Sequence, residues 1–217
     1  MKRLLTLALT FLSLLFFTSL TFAQTNPLTS KVIVLDPGHG GSDYGSIECP
    51  GLPEKDATLQ IAFKLKELLQ NDGAVVYLTR ETDATLSNED RYTFANSHNG
   101  NALISIHLNG STNHDKNGTL GLYGKLNKDK AFTQTVHTRL ASELGVPDLG
   151  VTNFASGVLL KSDMPATIQE TVFISNTQEC QLLTDGTGIR QQQIAQSLYN
   201  GLFDWFSQPP PPRKGRH

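Results

Sequence analysis

Short β-branched runs, each closed by a breaker and followed by a helical period, recur along this chain, and that alternation is what most restricts its fold. KVIVLD (31–36) reads as a buried strand ended by Pro37–Gly38. Thr58, Ile61, Ala62, Leu65, Leu68 and Leu69 then share one helical face over 57–70, closed by Asn71 and Gly73. AVVYLT (74–79) predicts a second strand, and Ser87 with Asp90 three positions on resembles a capping box opening a helix to about Ser97. ALISIH (102–107) and TLGLYG (119–124) predict two more strands. Phe132, Val136, Leu140 and Leu144 mark a helix that stops at Gly145. GVLL (157–160) and ATIQETVF (166–173) read as the last strands, before a short helix over about 177–183 and a longer one over about 187–206. In that last helix Ile194, Leu198, Leu202, Trp205 and Phe206 form the apolar stripe. Six strands alternating with helices predict one α/β domain, a mostly parallel sheet with helices on both faces.

The two ends do not belong to that pattern. Residues 1–23 place Lys2 and Arg3 before a Leu/Phe run that ends in small residues at Thr21 and Ala23, the layout of a secretory signal peptide. A spanning anchor is the competing explanation, but Ser13, Thr18, Ser19 and Thr21 dilute the run and a cleavage-like site follows at once. No Cys lies beside the cut, so no lipid anchor is indicated. The expected mature protein starts near Gln24, carries no transmembrane anchor and works outside the cytoplasm, in the periplasm or cell wall. At the other end, residues 208–217 (QPPPPRKGRH) can extend neither helix nor sheet and are expected to form a flexible basic tail. The expected domain is thus 24–207. Without Lys2, Arg3, Arg213, Lys214 and Arg216, the 18 basic residues fall to 13 against 20 acidic ones, so the folded part is acidic. That balance argues against nucleic acid as a partner. Only 2 Cys are present, so any metal site must be built from carboxylates and the 6 His.

His39 stands in DPGHGG just past the first strand, where ligands gather in open α/β sheets. Its glycines do not make a nucleotide loop: no GK[ST] follows, and Asp43 stands where the last Gly of GxGxxG belongs. A turn that merely contains His is the plain alternative. His107 ends the third strand in SIHLNG. One His there is ordinarily structural, but two at the same sheet edge are a candidate metal pair that needs a further ligand. Glu54, at the mouth of the first helix, is the candidate carboxylate, with compensation of the helix dipole as the competing role. Glu170 lies within ATIQETVF among apolar neighbours, where burial raises a carboxyl pKa toward the range of general acid–base work. Asp36 is a candidate acceptor that would orient the His39 ring behind a bound ion, or only a cap for the turn.

VIVLDPGHGGSDYG, LPEKDATLQIAFKLKELL, VYLTRETDATLSNEDRYTFANSHNGNALISIHLNG and MPATIQETVFISN, in that order, resemble the zinc-dependent N-acetylmuramoyl-L-alanine amidases, the cell-wall hydrolases called type-3 amidases. The resemblance runs from about Lys31 to Phe206. It implies that His39, Glu54 and His107 bind one Zn2+ per chain and that Glu170 is the catalytic carboxylate. It further implies that the substrate is peptidoglycan, cut at the amide joining N-acetylmuramic acid to L-alanine. Zinc with three protein ligands lowers the pKa of a bound water to about 7, and Glu170 would take its proton and return it to the departing nitrogen.

The chain also departs from that family. Val172 stands where a Gly often follows the catalytic Glu, and Leu149 where an Arg commonly precedes Gly-Val. Only 63 positions separate His107 from Glu170, too few for the regulatory helix with which some relatives plug the site. An open site is therefore expected, and the chain is expected to be a monomer. His98 and His137 are expected on helices as surface or partly packed residues, His114 in a solvated loop, and Arg80 and Arg91 in salt bridges or caps. Cys49 and Cys180, each near a site-bearing segment, are a candidate pair in an oxidising compartment. Two rival functions follow from the same residues: a catalytically silent wall-binding module, and a zinc peptidase cutting within the stem peptide.

Overall fold

The computed structural model describes residues 26–209. The expected signal segment and nearly all of the expected tail lie outside them. Six strands and six helices follow in the order β1 (Val32–Pro37), α1 (Glu54–Asn71), β2 (Val75–Leu78), α2 (Asn88–Ser97), β3 (Ala102–Asn109), β4 (Thr119–Tyr123), α3 (Lys130–Glu143), β5 (Asp148–Asn153), α4 (Gly157–Lys161), β6 (Ala166–Phe173), α5 (Thr177–Thr184) and α6 (Ile189–Ser207). The strands form one sheet in the order β2-β1-β3-β6-β4-β5. All neighbours run parallel except β4 and β6, which pair antiparallel. The mostly parallel α/β architecture is as the alternation predicts. No described helix is long and apolar enough to cross a membrane.

Strand alternation sends successive side chains to opposite faces, and each face gathers its own core. Ile33, Leu35, Ile104 and Ile106 pack with Ile61 and Leu65 of α1, Val136 of α3, and Ile194 and Leu198 of α6. Val34, Leu103, Ala166 and Ile168 face the other way, onto Ala95 of α2 and Val158 and Leu159 of α4. This second core is smaller because the same stripe turns polar toward the C-terminal ends of the parallel strands: Asp36 follows Val34, Ser105 and His107 follow Leu103, and Glu170 follows Ile168. A register shift between β3 and β6 falls just beyond the His107–Glu170 pair. It changes the alternation, so Val172, two residues after Glu170, is fully buried in the larger core. Val172 therefore fills core space and does not reshape the cleft.

The structure corrects the fifth strand. GVLL is the start of α4, and the strand is instead DLGVTN, Asp148–Asn153. That edge strand is exposed or half-exposed throughout, so it carries no alternation of apolar residues to read. Leu149 lies on it as an exposed side chain. Elsewhere α1 begins at Glu54, three residues earlier than the apolar face suggests, and the Ser87–Asp90 capping box forms in both directions. His137 is not a surface residue: it is buried in α3, and its Nε2 lies 2.7 Å from Asp148 Oδ1 on the neighbouring β5. His98 caps α2 and stacks against Tyr77 and Phe94.

Candidate metal centre

The loop after β1 turns on residues that ordinary backbone avoids. His39 itself has φ of 61°, a left-handed conformation that a side chain with a Cβ adopts only under constraint. The constraint comes from two buried arginines. Arg91 donates Nη1 to Asp36 Oδ1 at 2.7 Å and Nη2 to the His39 carbonyl at 2.8 Å. Arg80 donates to the carbonyls of Pro37 and Gly38 in the same loop, and to that of Lys55 at the start of α1. Both arginines are thus structural: Arg91 makes the expected salt bridge, with Asp36, whereas Arg80, among the described residues, donates only to backbone carbonyls and the Thr58 hydroxyl.

This clamp sets the His39 ring against Glu54 and His107. His39 Nε2 and His107 Nδ1 each lie 3.1 Å from the same oxygen, Glu54 Oε1. The two rings meet edge to face with centroids 4.7 Å apart. Backbone amides fix the carboxylate: Leu108 N donates to Oε1 and Ser46 N to Oε2, each at 2.9 Å. Two glycines make room for the trio. A Cβ on Gly38 would sit 2.4 Å from the His107 ring, and one on Gly45 would sit 2.5 Å from Glu54 Oε2 and 2.6 Å from His39. His39, Glu54 and His107 offer ligand atoms all within 4.8 Å of one another. Two imidazoles and a carboxylate, with those nitrogens deprotonated, are a donor set suited to zinc.

The electrostatics match one tightly coupled group. Burial pushes the Glu54 carboxyl up, but the hydrogen bonds and charges of His107 and His39 outweigh it and hold the acid well below the carboxylate range. Burial lowers His39, yet Glu54 and Asp43 raise it to about 9. His107 is raised in the same sense, burial opposing and Glu54 and Glu170 prevailing.

Glu170 comes to the same place from the next strand, in register with His107 across the β3–β6 pairing. Burial raises its carboxyl above the ordinary value and the Glu54 charge adds to this, while His107 and His39 oppose it. All four residues line one cavity of about 660 Å³. The same cavity is also lined by β4, the end of β5 and the start of α4, which sequence reasoning did not associate with the site.

Asp36 does not have the expected contact with the His39 ring. Its carboxylate accepts from Arg91, Thr79 and Ser105, at 2.7, 2.6 and 2.6 Å, and it reaches His39 only through the arginine and the backbone. The ring's own acceptor is Asp43, whose Oδ1 lies 2.9 Å from His39 Nδ1 and also takes Gly45 N. A carboxylate four residues after His39 in a glycine-rich turn was the available signal. His114 stands apart from the cavity walls, with Nδ1 2.7 Å from the Ser175 carbonyl. Cys49 and Cys180 are joined, tying the segment before Glu54 to α5.

Comparison with known proteins places the chain in a family. The family model described as N-acetylmuramoyl-L-alanine amidase matches residues 33–204. The chain is 35% identical over 186 residues to the protein named probable cell wall amidase LytH of Staphylococcus epidermidis, covering 85% of this chain and 61% of that one. It therefore spans about three-fifths of that relative's length. It is 32% identical to the germination-specific N-acetylmuramoyl-L-alanine amidase of Bacillus subtilis, covering 84% of this chain and 82% of that one. Among solved structures, the catalytic domain of CwlV, an N-acetylmuramoyl-L-alanine amidase from Bacillus (Paenibacillus) polymyxa var. colistinus, superposes with a TM-score of 0.75 at 31% identity, covering 81% of this chain and 97% of that one. A chain that gathers these residues at one end of its sheet, and whose sequence matches that model over nearly all the described fold, belongs to the N-acetylmuramoyl-L-alanine amidase family.

Proposed function

We propose that this chain is a secreted, zinc-dependent N-acetylmuramoyl-L-alanine amidase that releases the stem peptide of peptidoglycan from N-acetylmuramic acid. The observation that carries this reading is the convergence of His39, Glu54 and His107 on one point, with Glu170 on the same cavity. In it His39, Glu54 and His107 hold the ion, and Asp43 keeps the His39 ring in the tautomer that presents Nε2 inward. Zinc, when bound, supplies the Lewis acidity that activates a water and polarises the scissile carbonyl. Glu170 accepts the proton of the attacking water and returns it to the alanine nitrogen as the amide breaks. Burial raises its carboxyl above the ordinary value, the direction that makes a glutamate a stronger base. His39→Ala and His107→Ala are expected to lose both zinc and activity. Stoichiometric metal in either purified variant, measured by elemental analysis, would contradict the ligand assignment.

The Cys49–Cys180 bond supports an oxidising destination, consistent with residues 1–23 acting as a signal cleaved near Ala23. On that reading the catalytic domain is 24–207 and residues 208–217 form a tail, whose basic side chains favour contact with an anionic envelope. All four site residues come from one chain, so a monomer is sufficient. The interval between His107 and Glu170 is occupied by β4, α3, β5 and the five-residue α4. The packing of α3 into the larger core and the shortness of α4 support a site without a plugging helix. The purified protein should therefore hydrolyse sacculi unaided. Activity that appears only with an added partner would overturn the open-site reading.

A further inference from the structure

The cavity lining is of two unlike kinds. One is the metal-site side chains and Glu170. The other is an apolar wall of Leu120 and Leu122 from β4, Ile168 from β6, Val158 from α4, and Phe154 between β5 and α4, with Thr152 and Ser156 on the same segment as Phe154. Leu122, Ile168 and Val158 are buried and belong to the smaller core. Phe154 is different: 49% of it is exposed, although its backbone is firmly held. Its N–H donates to the Tyr123 carbonyl at 2.9 Å, and its own carbonyl accepts from Ser156 N at 3.0 Å. The preceding Asn153 side chain donates to the Tyr123 and Gly124 carbonyls. A lone exposed aromatic is ordinary on a protein surface. One whose backbone is held on both sides, lining the same catalytic cavity as four aliphatic side chains, is suited to act as an apolar anchor.

We propose that this wall is the subsite for the leaving peptide, with Phe154 covering the residue that follows L-alanine. The inference rests on the amidase reading and deepens it. The group that protonates the departing nitrogen must lie within hydrogen-bond reach of it, about 2.6–3.2 Å. The peptide side of the scissile amide therefore lies next to Glu170, and the glycan side lies away from it. Leu120 pairs with Glu170 in the β4–β6 register, and Leu122 pairs with Ile168. A chain leaving Glu170 thus meets Leu120 and Ile168 first, where the alanine methyl fits. Phe154, beyond β5 at the exposed rim, meets the next residue. In a stem peptide that residue is linked through its side-chain carboxyl and offers a run of methylene groups, which an aromatic face can cover.

The test compares the wild type with Phe154→Ala and Phe154→Leu on two soluble substrates, muramoyl-L-alanine and a muramoyl-tripeptide. On the tripeptide, Phe154→Ala is expected to raise KM roughly ten-fold with kcat nearly unchanged, the signature of lost uniform binding. Phe154→Leu should recover most of that loss. On muramoyl-L-alanine, which lacks the second residue, the variants and wild type should agree within about two-fold. Zinc affinity by chelator competition and Tm should not move, which separates a substrate contact from a folding defect. An unchanged KM on the tripeptide, or an equal rise on both substrates, would overturn the subsite. A wild-type protein inert on both substrates would strike the amidase reading itself.

Discussion

Replacing Glu170 with alanine is expected to reduce amidase turnover by about 10²–10⁴-fold while one zinc per chain stays bound. The size follows from what the carboxylate does in the proposed reaction. It moves the proton twice, once from the water and once to the leaving nitrogen, and no other carboxylate of the cavity is placed to replace it. Asp36 is paired with Arg91, Asp43 with His39, and Glu54 with both histidines. Metal retention follows from the separation of roles, since the three-residue group that can hold the ion excludes Glu170. Paired elemental analysis and turnover on sacculi would measure both. A variant that keeps near wild-type rates would remove Glu170 from the chemistry. A variant that also loses zinc would make it a ligand.

Loss of the Cys49–Cys180 bond is expected to have the largest effect on stability. The two residues are 131 positions apart in sequence. Closing so long a loop in the unfolded chain corresponds to about 5 kcal/mol in the chain-entropy relation, and removing native disulfides commonly costs about 2–5 kcal/mol. A domain of this kind has only about 5–15 kcal/mol in total. Cys49→Ala/Cys180→Ala should thus lower Tm by roughly 10 °C. The effect should extend to the site, because this bond fastens the segment that supports Glu54. Ser46 N donates to the Glu54 carboxylate and the Ser46 carbonyl accepts from Glu54 N, while Tyr44, Ile47 and Glu48 of the same segment are exposed. Buried Cys49 is its anchor. Calorimetry of the double variant checks the prediction, and a shift below about 2 °C would show that packing around α5 holds the segment without the bond.

Much of this site was legible because the residues follow the strands. His39 and His107 end two parallel strands, so an α/β reading alone places them at one sheet edge, and Glu54 opens the helix after the first. The details that escaped depend on contacts far apart in sequence. Arg91 holds the His39 carbonyl from 52 positions away, and no local pattern predicts which of Asp36 and Asp43 reaches the ring. The edge strand Asp148–Asn153 was missed for a related reason. A strand buried on neither face has no alternation, whereas GVLL, four residues with one apolar run, suits a strand as well as the first turn of a helix. That exchange also hid part of the cavity lining, since Thr152, Phe154, Ser156 and Val158 all lie on the segment concerned. The polarity of Glu170 could be read from sequence. The register shift that sends Val172 to the opposite face could not.

Product chemistry shows most directly which bond is cut. Purified sacculi digested with the zinc-loaded protein should yield intact stem peptides with a free N-terminal L-alanine, and glycan strands bearing unsubstituted lactyl carboxylates, both identified by mass spectrometry. Soluble peptide fragments cut within the stem, with the muramoyl–alanine amide intact, would contradict the account and assign the same four residues to a zinc peptidase.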